Sequence, residues 1–478
     1  MMAPAQPAPR RSLGLWMATA LVVGNMIGSG VFLLPSALAS FGGISILGWV
    51  FTAAGAMLLA MVFARLGRAY PRTGGPYAYS RAAFGDFVGF QTAWGYWIAI
   101  WAGNAAIAVA FAGYLTVFWP AVGTNALLGV LVALSAIWFL TAVNTLGVRQ
   151  GGLVQLVTTV LKLIPLLAIA TIGLFFVKTS HFSPFNASHQ SPFGAITGAG
   201  ALTLWAFIGL ESATVPADDV RDPERTIPRS TILGTAIAAA VYILGTVVVM
   251  GVVPAGALAK STAPFSDAAG IMWGGWANKA VAIGALVATF GCLNGWILLQ
   301  AQVPLAAARD GLFPRMFGRL SKNGTPVVGL VVSSALVSVL MAMNYAQGLV
   351  SLFTFVILLA TLTTLVPYAY SAAAQVMLFI NDRARFSGPG LARDVVIAAL
   401  AFGYSLWAIV GAGADVVFKG TMLLLAGIPV YLWIRWRAAV AAPAALPPDL
   451  VHLHVAAVVE GLPPVPPAPR AVPAAGQR

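Results

Sequence analysis

Charge is scarce in this chain: Asp, Glu, Lys and Arg make up 8% of its 478 residues, while 60% are apolar. Soluble domains carry about 25% charged residues, so an ordinary globular protein is excluded and a polytopic membrane protein is left. Cysteine occurs once, as Cys292 inside an apolar run. No internal disulfide can form, and a small buried apolar role is the simplest reading of it. The four histidines, His181, His189, His452 and His454, all fall outside the apolar runs. An intramembrane acid/base or metal cluster therefore has no residues to draw on; the reading is no enzyme, no metal and no cofactor. A channel needs a continuous polar or charged pore lining, which this shortage of charge also disfavours.

What the chain has in abundance is apolar runs of about 20 residues, the length that crosses a bilayer as a helix. They fall near 14–38, 43–64, 86–118, 125–146, 153–177 and 195–217, then 230–254, 278–307, 326–345, 349–380, 394–414 and 417–438. Twelve spans predict an all-α polytopic protein whose main partner surface is the lipid bilayer. The net charge of +13 would suit nucleic acid, but its placement points elsewhere. Arg65, Arg68, Arg81, Arg149, Arg221, Arg225, Arg309, Arg315 and Arg383 lie on alternate connections, and the opposite ones carry only Lys178, Lys260, Lys279 and Lys419. The positive-inside rule then puts both termini in the cytoplasm and requires an even number of spans. The first run is long enough to be a retained helix, not a signal peptide. Residues 1–13 read as a cytoplasmic N-terminus and 439–478, rich in Pro and Ala, as a disordered cytoplasmic tail.

Two runs carry interruptions. Gly28-Ser29-Gly30 sits near the middle of the first, and Trp205-Ala-Phe-Ile-Gly209-Leu-Glu211 in the sixth. Glycine lets the backbone leave helical geometry, and a membrane tolerates that only where the freed groups face protein or a cavity. Matched breaks in corresponding spans of two five-helix halves point to a secondary transporter's midplane binding site. The amides at the half-helix starting near Ser29 favour an anion. Carbonyls freed between Trp205 and Ile208 suit a primary ammonium. One α-amino acid satisfies both.

Away from span ends only Lys162 and Glu211 are ionisable. A charge at the bilayer centre costs at least about 2.5 kcal/mol on insertion scales, so such residues face the protein interior and carry function. Both are expected to couple occupancy or protonation to motion, with a structural role as the bland reading. The loops Arg65 to Arg81, Asp218 to Arg229 and Ala308 to Pro314 read equally well as solvated connectors or as ionic locks on a cytoplasmic gate.

The run Gly24 to Pro35, the loop Gly74-Gly75-Pro76-Tyr77-Ala78-Tyr79, the pairs Tyr96-Trp97 and Gly103-Asn104, and Leu204 to Ser212 strongly resemble the amino acid-polyamine-organocation superfamily. Within it the chain is most similar to bacterial basic amino acid/polyamine antiporters such as the arginine/agmatine exchangers. The likeness spans roughly 12–438 and extends to Asp222 to Pro228, Ala307 to Pro314 and Leu365 to Tyr368. It implies an inverted 5+5 repeat with broken helices 1 and 6 plus two extra helices. Repeat one would cover about 14–177, repeat two about 195–380, and helices 11 and 12 about 394–438. It also implies alternating access in a bacterial inner membrane, protons as candidate co-substrate, and a homodimer.

In residue terms, the resemblance assigns the substrate carboxylate to the Ser29 and Gly30 amides and its amine to the carbonyls of Met26, Trp205 and Ile208. Tyr96, Trp205 and Trp296 match aromatic gate or pocket positions, with Trp296 stacking on a cationic side chain. Asn25 and Asn104 match polar pocket positions, and Glu211 the proton-sensitive coupling acid. Gln155 followed by Lys162 resembles members whose span-5 lysine takes the place of a sodium ion, which argues against sodium coupling. Ile100 and Ala360 stand where the arginine/agmatine exchanger has more polar residues. That departure keeps a neutral apolar amino-acid permease or exporter open as the alternative, with a non-transporting nutrient sensor more remote.

Overall fold

The computed structural model describes residues 13–71, 74–145, 151–215, 217, 220–322, 324–381 and 390–441, without the side chains of 151–161 and 441. Among them every labelled element is a helix: α1 (Leu15–Met26), α2 (Ser29–Leu38), α3 (Ser45–Ala69), α4 (Pro76–Phe84), α5 (Asp86–Leu115), α6 (Ala126–Thr145), α7 (Gly151–Ile172) and α8 (Pro192–Leu204). The second half holds α9 (Pro223–Val252), α10 (Pro264–Trp273), α11 (Gly275–Arg309), α12 (Val327–Asn344), α13 (Leu349–Asn381), α14 (Leu391–Gly411), α15 (Ala414–Leu425) and α16 (Gly427–Ala441).

Eleven segments among the described residues are long and apolar enough to cross a membrane. The span expected at 153–177 corresponds to α7, whose described part continues as the apolar stretch Lys162–Phe176. Spans 1 and 6 are not continuous helices: α1 and α2 together make the first, and α8 followed by irregular backbone makes the sixth. The tail expected at 439–478 lies outside the described residues beyond 441, and α16 runs three residues past the expected domain edge at 438.

α5 is the axis of the bundle. Its 30 residues reach about 45 Å at 1.5 Å each, and α11 and α13 pack along it while α6 and α12 lean on its flank. Ala, Gly and Ile fill most of its middle, Ile98 to Ala112, and small residues let neighbouring helices come close. α3 packs against α8 and α9, and α9 in turn against α1. Short helices that periodicity did not resolve decorate the ends. α4 makes a nine-residue helix of the basic loop, with Pro76 at its first position. α10 lies on the connection before α11, at the opposite end of α5 from α4.

Candidate functional site

The first break opens where α1 ends at Met26. Ile27 and Gly28 leave helical geometry, and α2 begins at Ser29. Gly28 has φ −129°, which other residues adopt, so close packing and not backbone freedom demands the glycines here. A Cβ on Gly28 would stand 2.6 Å from Cys292 Sγ, and one on Gly30 2.9 Å from Ala206 Cα. The last turn of α1 leaves carbonyls without helical donors. Lys162 Nζ reaches two of them, donating to Gly24 O at 2.6 Å and Ile27 O at 2.7 Å. A cation at the negative end of a half-helix is where the dipole favours it. Lys162 is buried and so acts as an ammonium clasp on the break.

The second break follows α8. A tight turn, Trp205–Phe207, leads to extended Ile208 and then to Gly209 at φ +107°, which only glycine adopts without strain. Helical geometry does not resume; a second short turn covers Ser212–Thr214. The carboxylate of Glu211 folds back into the break. Its Oε2 accepts from the Gly209 amide at 3.1 Å and from the Tyr368 hydroxyl, and its Oε1 accepts from the Tyr96 hydroxyl at 2.6 Å. Glu211 is fully buried, and these three donors compensate for lost water. Two side-chain bonds tie the breaks together: Asn25 Nδ2 donates to Ser212 Oγ at 3.0 Å, and Trp205 Nε1 to Ser29 Oγ at 3.3 Å.

Between the breaks lies a small cavity. Asn25, Met26, Ser29 and Gly30 form one wall and Trp205 and Ile208 a second. Tyr96, Ile100 and Trp296 close it from α5 and α11. Nine of the residues singled out from sequence thus meet around one space. No Asp, Glu, Lys or Arg among the described residues lines it, so a charged ligand there must be held by backbone dipoles and ring faces.

Asn104 and Ala360 stand apart from this wall. Asn104 is fully buried and gives its Nδ2 to Gln300 Oε1 at 2.7 Å. Ala360 is likewise buried, and its carbonyl accepts from Thr363 and Thr364; it is Thr364, one turn on, that lines the cavity. Lys162 and Glu211 sit behind the wall, each on one break. Sequence reasoning missed Gly28, Ala99, Gly103, Ile107, Cys292 and Thr364 as lining residues. The positions 96, 99, 100, 103 and 107 share one face of α5 at helical spacing. That stripe was the available signal, hidden because α5 is apolar all round. Gly103 has a specific reason to lack a side chain, since a Cβ there would meet Trp205 at 2.7 Å.

Beyond the cavity, polar contacts close both ends of the bundle. At the α4 end, Tyr77 donates to Asp310 Oδ2 at 2.6 Å, and Arg81 bridges Asp310 (2.9 Å) and Asp86 (3.0 Å). Burial and the hydrogen bond to Asp310 hold the Tyr77 phenol above its usual range, so it stays a donor. The loop after α11 is therefore tied to α4 by an ion pair and a hydrogen bond. Asp222 and Arg225, by contrast, are exposed and 3.9 Å apart, while Asp218 and Asp219 lie outside the described residues. At the α10 end, Tyr114 donates to Phe32 O at 2.7 Å and Ser36 to Ser261 O at 2.8 Å, pinning α2 to α5 and to the α10 connection. Burial pushes the Asp267 carboxyl there above the usual carboxylate range, against a hydrogen bond from Ser261 that lowers it.

Residues 13–428 match the model of a family described as amino acid permease. The putative arginine/ornithine antiporter of Bacillus subtilis (strain 168) is 35% identical over 455 residues, covering 88% of this chain and 96% of that protein. The cadaverine/lysine antiporter of Escherichia coli (strain K12) is 36% identical over 412 residues, covering 84% and 90%. The putrescine transporter PotE of Escherichia coli (strain K12) is 33% identical over 426 residues, covering 89% and 96%. Among solved structures, the manganese transporter of Eremococcus coleocola (mutant H236A) superposes with a TM-score of 0.60 at 14% identity, covering 88% of this chain and 93% of that one. At that identity the likeness concerns the fold alone.

Proposed function

Because this chain belongs to the amino acid permease family, a family of transporters and not of enzymes, we propose that its cavity is the substrate site of a basic amino acid/amine antiporter working by alternating access. The observation that carries the reading is the meeting of two interrupted spans over a cavity without charged walls. Half-helix α2 offers its first amides, at Ser29 and Gly30, to a carboxylate. Carbonyls of Met26, Trp205 and Ile208 take the α-ammonium. The ring faces of Trp205 and Trp296 then suit a second cationic group farther along the ligand.

The cationic class is supported by the substrates for which the relatives are named: arginine/ornithine, cadaverine/lysine and putrescine. The neutral alternative rested on Ile100 and Ala360, and only Ile100 lines the cavity. Sodium has no place in this scheme, because the Lys162 ammonium already occupies the carbonyls at the end of α1. Glu211 is the group we assign to proton coupling, through its contacts to α5, α13 and the second break. Locks at both ends of the bundle fit a closed intermediate, with the Tyr77–Asp310–Arg81 set opening toward the cytoplasm. The domain plan is two repeats at about 14–177 and 195–380, with the remaining spans outside them. A bacterial inner membrane, cytoplasmic termini and a homodimer complete the proposal.

Counterflow in proteoliposomes tests it. Preloading with arginine, lysine, ornithine or putrescine is expected to stimulate uptake of labelled basic amino acid. Stimulation by leucine, methionine or phenylalanine instead would overturn the cationic reading, and saturable binding without any flux would replace the transporter with a sensor.

A further inference from the structure

Gln300 belongs to no motif singled out from the sequence, yet it is fully buried and anchors a polar chain across four helices. The backbone carbonyl of Leu330 can only accept a hydrogen bond, so the Gln300 group facing it at 3.3 Å must be Nε2. The same Nε2 donates to Ser334 Oγ at 2.9 Å, and Ser334 pairs in turn with Thr141 at 2.7 Å. Ser333 donates to the backbone carbonyl of Gln300 at 3.3 Å, which ties the main chain there to α12. Residues of α6 and α12 therefore hold the Gln300 carboxamide in one orientation, with Oε1 turned to α5.

That orientation dictates the next one. Oε1 can only accept, so Asn104 must present Nδ2 to it, at 2.7 Å. Asn104 Oδ1 is then the end left over, buried and without a hydrogen-bond partner among the described residues. Asn104 lies four residues beyond Ile100, next to Gly103 and three before Ile107, and all three line the cavity. Residues three and four apart share a helical face, so an unpaired acceptor stands immediately behind the cavity wall. Gln300 is likewise four residues beyond Trp296, the ring on the α11 side of the same cavity.

We propose that Gln300 is a positioning residue: it fixes the Asn104 carboxamide with its oxygen as the available group and thereby sets the preference for substrates whose far end carries a primary ammonium. The proposal rests on the reading of the cavity as a substrate site for basic amino acids and amines. Without Gln300 the Asn104 carboxamide is free to turn its NH2 end to the ligand, and a donor facing an ammonium repels it. A substrate with the same carbon chain and an apolar end is indifferent to that turn.

Lysine and norleucine share the same four-carbon side chain and differ by lysine's terminal ammonium, so exchange of each by the full-length protein in proteoliposomes provides the test. In Gln300→Leu the KM for lysine is expected to rise about tenfold, the scale of a hydrogen bond to a charged group, with kcat and the KM for norleucine unchanged. Norleucine exchange also reports that the variant is folded. Adding Gln300→Leu to Asn104→Leu is expected to raise the lysine KM no further, because one residue acts through the other. An unchanged lysine KM in Gln300→Leu, equal shifts for both substrates, or additive effects would each overturn the role of Gln300. A wild-type protein that exchanges norleucine and not lysine fails the cationic reading itself, before any variant is made.

Discussion

The two breaks solve one problem by opposite means. In the first, the chain stops one helix and starts another within three residues, and a cation from a different span, Lys162, takes the stranded carbonyls. In the second, the chain does not regain its helix, and a carboxyl group from the break itself, Glu211, takes a stranded amide together with two tyrosine hydroxyls. Glycine serves differently in each: Gly28 and Gly30 let neighbours approach, whereas Gly209 supplies a backbone conformation. The comparison teaches that a broken span needs a buried donor or acceptor fitted to whichever backbone group is left bare. It also separates a break closed from outside, by the lysine of another span, from one closed by a carboxyl group of its own.

The largest effect is expected from Lys162→Met. It strands the Gly24 and Ile27 carbonyls, at about 1–3 kcal/mol for each unsatisfied buried acceptor, and counterflow should fall by more than about 100-fold. Membrane yield measured alongside should fall much less; loss of all folded protein would make the residue purely structural. Gly30→Ala comes next, because its Cβ meets backbone at Ala206 and not a movable side chain. Overpacking of this kind costs about 1–3 kcal/mol, and substrate affinity by equilibrium binding should weaken about 10- to 100-fold. The mildest change in rate is expected from Glu211→Gln, which keeps the shape of the second break. Its signature is a flattened pH dependence of exchange; an unchanged profile would leave Glu211 as a structural clasp equivalent to Lys162.

Much of this was legible in the chain itself. Runs of apolar residues located the spans, and Gly28-Ser29-Gly30 and Trp205 to Glu211 marked both breaks. Lys162 and Glu211 stood out because a charge in that setting is costly. The harder part was direction. α5 is apolar around its whole circumference, so nothing in its periodicity told Ile107, which lines the cavity, from Ile98, which packs elsewhere. Asn104 shows the same limit for a polar residue, since the family resemblance marked it as a pocket position and only the neighbouring helix showed that Gln300 holds it.

By itself the sequence determined that the chain is a helical membrane protein with two interrupted spans, because hydropathy and the cost of buried charge act locally and leave a mark at each position. Tertiary structure alone decided which carbonyls Lys162 clasps, how Glu211 is shared between two tyrosines, and that Thr364 and not Ala360 reaches the cavity. Those outcomes depend on the rotation and depth of one helix against another, and a shift of a single residue turns a side chain by about 100°.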